Sequence, residues 1–285
     1  MDLLEQCYPL SHPQKRIWYN EKLYNRPTMN IIGGCIRFEG NVDLMLIEQA
    51  VQKAIELYDS IRQQIVEVEG EPLQYTVPYT RAKLDFFNFS NELDPWGAYT
   101  SWARKEFSRP FDINNKPLYY FALFRIDDRN TGFLIKLHHI IADGWSVSIL
   151  IESIYEFYNK LILGVDTLNE LSTPYKVYLE YENAYLQSER FKRDKLFWNL
   201  KFNELPELVM NIKPSTDFDS IRENYELSAV TARAIKKFLH ENGLSMIVFF
   251  TAIISFFFSR YYSKNDIVIG IPVSNRDGKT KRIFG

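Results

Sequence analysis

The stretch Thr131-Gly132-Phe133-Leu134-Ile135-Lys136-Leu137-His138-His139-Ile140-Ile141-Ala142-Asp143-Gly144 decides how this chain is read. Thr131 to His138 is a long apolar run, predicting a strand that ends on a histidine pair. From Trp145 to Leu163, Val147, Ile151, Ile154, Tyr158 and Leu161 recur at alternating steps of four and three, predicting a helix with one buried stripe that Gly164 closes. A strand, a polar turn and a helix in immediate succession point to α/β architecture. Functional side chains concentrate at such strand ends and loops.

Upstream, Leu118 to Ile126 is a second long apolar strand, joined to Thr131–His138 through Asp127-Asp128-Arg129-Asn130, so the two read as an antiparallel pair. Ile31 to Phe38 is another predicted strand. Val42 to Tyr58 follows as a helix whose buried face carries Ile47, Val51, Ala54 and Tyr58. Arg62–Val68, Leu73–Val77 and Lys83–Phe87 read as short strands, and Asp94-Pro95 opens a helix that runs to about Ser108. Downstream, residues 164 to 174 break periodicity with Gly, Pro and small polar residues and form the candidate linker. This divides the chain into a lobe over 1–170 and a second over 174–285. The second lobe is expected to hold helices at Tyr175–Gln187 and Arg190–Phe202, a strand near Tyr225–Leu227, two more helices and a last strand at Ile267–Val273. Gly243 to Ser259 lacks charge over 17 residues, just short of a membrane span. Thr251, Ser255 and Ser259 share one stripe there, as a helix buried between layers tolerates, so a core helix is the expectation and no membrane span is assigned.

Composition removes several function classes. The 285 residues carry 34 Lys and Arg against 36 Asp and Glu, a balance of −2 without a long basic block, so nucleic acid is not an expected partner. Cys7 and Cys35 cannot build a disulfide framework, and the N-terminus has no basic segment leading into an apolar one, so a cytoplasmic location is expected. Gly144-Trp145-Ser146-Val147-Ser148 lacks the second glycine of a hydrolase nucleophile elbow. Gly278-Lys279-Thr280 lacks the first glycine of a phosphate-binding loop, which falls on Val273. His12, His240, Cys7 and Cys35 show no ligand spacing with His139 and Asp143, so no metal is expected.

In a strand adjacent side chains face opposite ways, so one histidine of the pair should enter packing and the other face open space. Parity alone leaves open which one does so. A purely structural reading also stays open, with both histidines satisfied in the core and Asp143 capping the helix that begins at Gly144.

Several segments together resemble the condensation domain of nonribosomal peptide synthetases, within the chloramphenicol-acetyltransferase-like superfamily. Residues 138–144 match the His-His-x-x-x-Asp-Gly signature. Pro9-Leu10-Ser11-His12-Pro13-Gln14-Lys15-Arg16-Ile17-Trp18 looks like the opening motif, and Leu57-Tyr58-Asp59-Ser60-Ile61-Arg62 stands where a second motif ends on arginine. Pro110-Phe111-Asp112 with Pro117-Leu118, and Gly270-Ile271-Pro272-Val273-Ser274-Asn275-Arg276, follow in the family's order. Leu57, Tyr58 and Asp59 depart from that second motif, and Pro13 stands where alanine is usual.

The resemblance implies an α/β chloramphenicol-acetyltransferase-like lobe, with a mixed, largely antiparallel sheet flanked by helices, and an incomplete second lobe of the same type. It implies an acyltransferase that joins a donor acyl or peptidyl thioester to the amine of a carrier-bound aminoacyl thioester, as in antibiotic and lipopeptide biosynthesis. Other family outcomes are an ester-forming relative, an epimerase or an inert carrier-protein docking module. His139 matches the catalytic histidine, as a neutral imidazole that takes a proton or aligns the amine. Gly144 matches a position where a backbone amide can meet the oxyanion. His138, Asp143 and Arg62 are implied to be structural, with Asp143 paired to Arg62. No bound cofactor is implied: phosphopantetheine arms of carrier domains bring the substrates, or acyl-CoA brings the donor in a starter domain. The run Lys15–Lys22 and the early start of the opening motif resemble such starters.

Overall fold

The computed structural model describes residues 3–24, 28–165, 171–204, 207, 209 and 223–285. By contacts they divide into Met1–Ser188 with Ser274–Gly285, and Glu189–Val273. That division differs from 1–170 and 174–285 in where residues 174–188 and the last twelve fall. Residues 166–170 of the candidate linker lie outside the described residues.

The first unit is built on two sheets. Strands β1 (Tyr8–Pro9), β3 (Gln63–Val68) and β4 (Glu71–Thr76) form a three-stranded sheet in the order β1-β4-β3. Strands β2 (Ile31–Glu39), β5 (Asp85–Asn88), β6 (Tyr119–Arg125) and β7 (Asn130–His138) form a four-stranded sheet in the order β2-β7-β6-β5. Only β5 runs parallel to its neighbour in that sheet; the others are antiparallel. The expected hairpin of β6 and β7 is present, and β2 closes on the other side with Ile31 opposite His138.

The helices follow from the same chemistry. Helix α2 (Leu44–Leu57) starts where Asp43 Oδ1 accepts from the amides of Met45 and Leu46, at 2.8 and 3.3 Å. Its expected face is buried, with Ile47, Val51 and Ala54 all within 1% of full burial. Helix α4 (Gly144–Ile162) packs beside it. The buried face of α4 runs through Ser146, Leu150, Ile154 and Phe157, so the expected stripe lies on its shoulder except for Ile154. These two helices cover the sheet face that carries Phe133, Ile135 and Leu137. On the opposite face, Phe124 and Phe89 pack with Tyr99 and Trp102 of helix α3 (Pro95–Ser108). Strand β7 is therefore buried on both sides, which is why it reads as one apolar run rather than an alternation.

At Gly132 the sheet leaves no room for a side chain. A Cβ there would sit 2.0 Å from the Ile36 carbonyl oxygen and 2.7 Å from Phe124 Cζ. Gly132→Ala is therefore expected to lower stability by about 1–3 kcal/mol, the usual cost of overpacking. Thermal melting followed by circular dichroism tests this, and an unchanged midpoint would contradict it.

Helix α1 (His12–Tyr24) and helix α5 (Tyr175–Leu186) complete the helices of the first unit. In Glu189–Val273 the structure holds α6 (Glu189–Lys201), α7 (Ala229–Asn242) and α8 (Met246–Tyr262). Two expectations fail there. Tyr225–Leu227 and Ile267–Val273 are not strands, because neither finds a partner strand among the described residues to complete a ladder. Helix α8 is not a core helix, since none of its residues is buried. Thr251, Ser255 and Ser259 do lie on its better-covered side, whereas Ile247, Phe250, Ile254 and Phe257 are exposed. No single helix among the described residues is long and apolar enough to cross a membrane; α7 and α8 reach the required length only together, across a 105° bend.

Candidate active site

Strand β7 ends at His138, so His139 falls in the turn that leads to α4. The alternation argument applies for its last step only. His138 is fully buried. Its Nε2 lies 2.8 Å from Glu21 Oε2, and its Nδ1 accepts from the amide of Ile140 at 3.1 Å. Both ring nitrogens are thus engaged. The ring of Phe111 stands edge-on to it at 6.2 Å. Burial pushes the Glu21 carboxyl up, but the hydrogen bond with His138, joined by one from Asn30, more than offsets this and holds it below its usual range.

His139 is in a different position. Its amide donates to the Asn30 carbonyl at 2.7 Å, fixing the backbone, while its half-buried imidazole has no hydrogen-bond partner among the described residues. The turn is also held from the amino-terminal side. Ser11 and Gln14 form a capping box at the start of α1: the Ser11 amide donates to Gln14 Oε1 at 2.9 Å, and the Gln14 amide to Ser11 Oγ at 3.3 Å. The buried Gln14 side chain then donates through Nε2 to the Ile140 carbonyl at 3.0 Å and pairs with the Gln74 amide at 2.9 Å. Gln14→Leu would take the donor from the buried Gln74 Oε1 and from the Ile140 carbonyl, while Gln74 Nε2 keeps the Pro9 carbonyl. It is expected to cost about 1–3 kcal/mol, measured by urea denaturation. A change below about 0.5 kcal/mol would show that neither group depends on Gln14.

Asp143 caps α4. Its Oδ1 accepts from the Ser146 amide at 2.7 Å and the Ser146 hydroxyl at 2.6 Å. Its ionic partner is Arg276, at 3.1 Å, and not Arg62. Arg62 is fully engaged elsewhere: its guanidinium donates to the carbonyls of Ile55, Glu56 and Tyr58 at the end of α2 and to Val77 at 3.1 Å, and burial lowers its pKa. It closes the helix end by satisfying orphan carbonyls, so its role is structural by a different route from the expected pair. Arg276, with its side chain 6% exposed, also donates to Ser146 Oγ and to the carbonyls of Ile283 and Gly285. The segment Ser274–Gly285 is pinned on α4 by these bonds and by Trp145 Nε1 donating to the Lys281 carbonyl at 2.8 Å, and on the end of α2 by Phe284 stacked on Tyr58.

Gly144 opens α4 and is exposed, with empty space where a Cβ would point. As the first residues of the helix, Gly144 and Trp145 have amides without a partner in a preceding turn. A half-buried imidazole with free nitrogens and a helix N-terminus open to approach therefore lie within six residues of one another. The structure brings His138, His139, Asp143 and Gly144 into one turn and leaves Arg62 outside it. Sequence reasoning missed Glu21, Asn30 and the link from Gln14, although the Ser11-x-x-Gln14 spacing is a readable capping-box signal. Among the described residues no cluster of His, Cys, Asp and Glu could hold a metal ion.

The family description "Condensation domain" matches residues 4–285. This chain belongs to the condensation-domain family. Relatives of this condensation domain include Surfactin synthase subunit 1 of Bacillus subtilis (strain 168), 30% identical over 285 residues, covering 98% of this chain and 8% of that protein. A plipastatin synthase subunit of the same organism is 32% identical over 289 residues, covering 98% of this chain and 11% of that protein. The chain thus spans about a tenth of the length of these relatives. Among solved structures, the first condensation domain of the CDA synthetase matches with TM-score 0.81 at 22% identity, over 98% of this chain and 68% of that one. The starter condensation domain of rhizomide synthetase RzmA matches with TM-score 0.77 at 21% identity, over 98% and 64%. These likenesses show that the α/β fold is the chloramphenicol-acetyltransferase-like fold of condensation domains.

Proposed function

We propose that this condensation domain forms an amide bond between a donor acyl thioester and the amine of an aminoacyl thioester held on a carrier domain. The observation that carries this reading is the contrast within the histidine pair: both nitrogens of His138 are engaged, whereas the imidazole of His139 has no hydrogen-bond partner among the described residues. As the amine nitrogen bonds to the thioester carbon, His139 accepts the proton that nitrogen must lose. The C–S bond then breaks, and the departing thiolate takes a proton to give the free thiol. The exposed amide of Gly144, at the positive end of α4, stabilises the oxyanion as it forms. His138, Asp143 and Arg62 support this turn and its surroundings without touching substrate.

The substrates arrive on phosphopantetheine arms of acyl or peptidyl carrier proteins, in the cytoplasm, within a larger synthetase. For the donor we favour a fatty acyl thioester, including acyl-CoA, as in a starter domain of a lipopeptide synthetase. The resemblance of Lys15–Lys22 to starters supports this, and one fold neighbour is a starter condensation domain variant in complex with C8-CoA and Leu-SNAC.

The test is mass-spectrometric detection of amide from an octanoyl thioester and an aminoacyl-loaded carrier, with the chain and its His139→Ala variant. Product that disappears in the variant supports the assignment. Undiminished product in the variant overturns the role of His139. A folded chain that binds the loaded carrier yet forms no amide favours the inert docking module.

A further inference from the structure

We infer that Glu21 is a positioning residue, anchoring Nε2 of His138 so that Nδ1 meets the Ile140 amide, and through it fixing the turn that carries His139. One carboxylate oxygen, Oε2, touches both supports of that turn. It faces His138 Nε2 at 2.8 Å and accepts from Asn30 Nδ2 at 3.0 Å. The other side of His138, Nδ1, accepts the Ile140 amide at 3.1 Å, and the carbonyl of Asn30 accepts the His139 amide at 2.7 Å. The backbone N–H groups of His139 and of the residue after it are therefore held by two groups that meet on a single oxygen. The assembly is buried: the His138 side chain is 0% and that of Glu21 11% exposed.

The hydrogen-bond directions leave His138 one comfortable state. A backbone N–H points at Nδ1, so Nδ1 must offer its lone pair and the ring proton belongs on Nε2, where the carboxylate accepts it. The other neutral form would set two donors against each other at Ile140 and two acceptors against each other at Glu21. A doubly protonated ring would keep the clash at Ile140. Glu21 thus fixes the orientation of the His138 ring, with Nε2 on the carboxylate and Nδ1 on the Ile140 amide, which leaves His139 as the member of the pair whose imidazole is uncommitted among the described residues. This role rests on the amide-forming reading for its catalytic consequence, but the state of the His138 ring is readable without any turnover.

The test uses the 285-residue chain labelled with 15N, with the ring nitrogens of His138 and His139 distinguished by His139→Ala. In the unaltered protein and in Glu21→Gln, whose amide oxygen can still accept, His138 is expected as the Nε2–H form. In Glu21→Leu the ring loses its anchor at Nε2, and the ring-nitrogen signals of His138 are expected to shift together with the amide signals of His139 and Ile140. The turnover number of Glu21→Leu is expected to fall at least tenfold with little change in KM, and Glu21→Gln to recover most of it. Should Glu21→Leu not fold, Glu21→Asp, which draws the carboxylate back by one methylene, serves as the second variant, with an intermediate effect expected. An unchanged His138 ring state and unchanged His139 and Ile140 amides in Glu21→Leu or Glu21→Asp would overturn the inference. Absence of amide product from the unaltered chain would instead count against the proposed function, and the ring spectra would still decide the role of Glu21.

Discussion

His139→Ala is expected to lower the rate of amide formation by about 10²–10⁴-fold, the range for removing a positioned general base. Its melting midpoint should stay within about 1–2 °C of the unaltered protein, because the lost imidazole has no hydrogen-bond partner among the described residues and is half-buried. The two measurements belong together. A large fall in rate with intact folding assigns His139 to chemistry, whereas a parallel collapse of stability would move it to the structural group with His138. His138→Ala provides the contrast. It empties a fully buried site, strands the Ile140 amide and removes the ring facing Glu21, so its loss of rate should come with loss of fold.

Asp143→Ala is the second large effect, and it runs the other way. Removing the carboxylate takes the N-cap from α4, about 1 kcal/mol, and leaves Arg276 buried without its counter-charge. The Asp143 side chain is 32% exposed and that of Arg276 6%, so breaking this partly solvated pair costs less than the ~3–5 kcal/mol of a fully buried one and, with the lost cap, about 2–3 kcal/mol, still a large part of the stability of a typical domain. Arg276→Ala should be comparably damaging, since it also releases the carbonyls of Ile283 and Gly285. Arg62→Ala should act separately by loosening the end of α2, and its effect should add to that of Asp143→Ala. A soluble Asp143→Ala protein with native circular dichroism, an unchanged melting midpoint and no activity would contradict this assignment and place Asp143 in the chemistry.

The elements that position the site were readable because their signals are local. Asp94-Pro95 marks the start of α3, the stripe Ile47, Val51 and Ala54 gives α2, and the apolar pair β6 and β7 flanks a four-residue polar connection. Pairings between distant residues left no such mark. The resemblance assigns Arg62 to Asp143; the carbonyls at the end of α2 occupy Arg62, and Arg276 meets Asp143 instead. Glu21 and Asn30 were missed for the same reason. Neither has a spacing that relates it to His138: the closing of β2 against β7 brings Asn30 to the turn, and Glu21 reaches it from α1. Ile267–Val273 was misread because strand propensity says nothing about whether a partner exists, and a strand without a ladder is only an extended segment.

The clamp of Arg276 on Asp143 also has a temporal side. The two residues are 133 positions apart, so the start of α4 emerges from a ribosome long before its counter-ion exists. At about 5–20 residues per second the delay is roughly 7 to 27 s, far longer than a helix or hairpin needs to form. Through that interval the turn bearing His139 is backed by Gln14, Glu21 and Asn30, all made earlier, while its carboxyl-terminal side waits. The ion pair on the carboxyl-terminal side of the turn bearing His139 therefore becomes possible well after its other supports, and newly made chains should show a late, Arg276-dependent gain of protease resistance around Asp143.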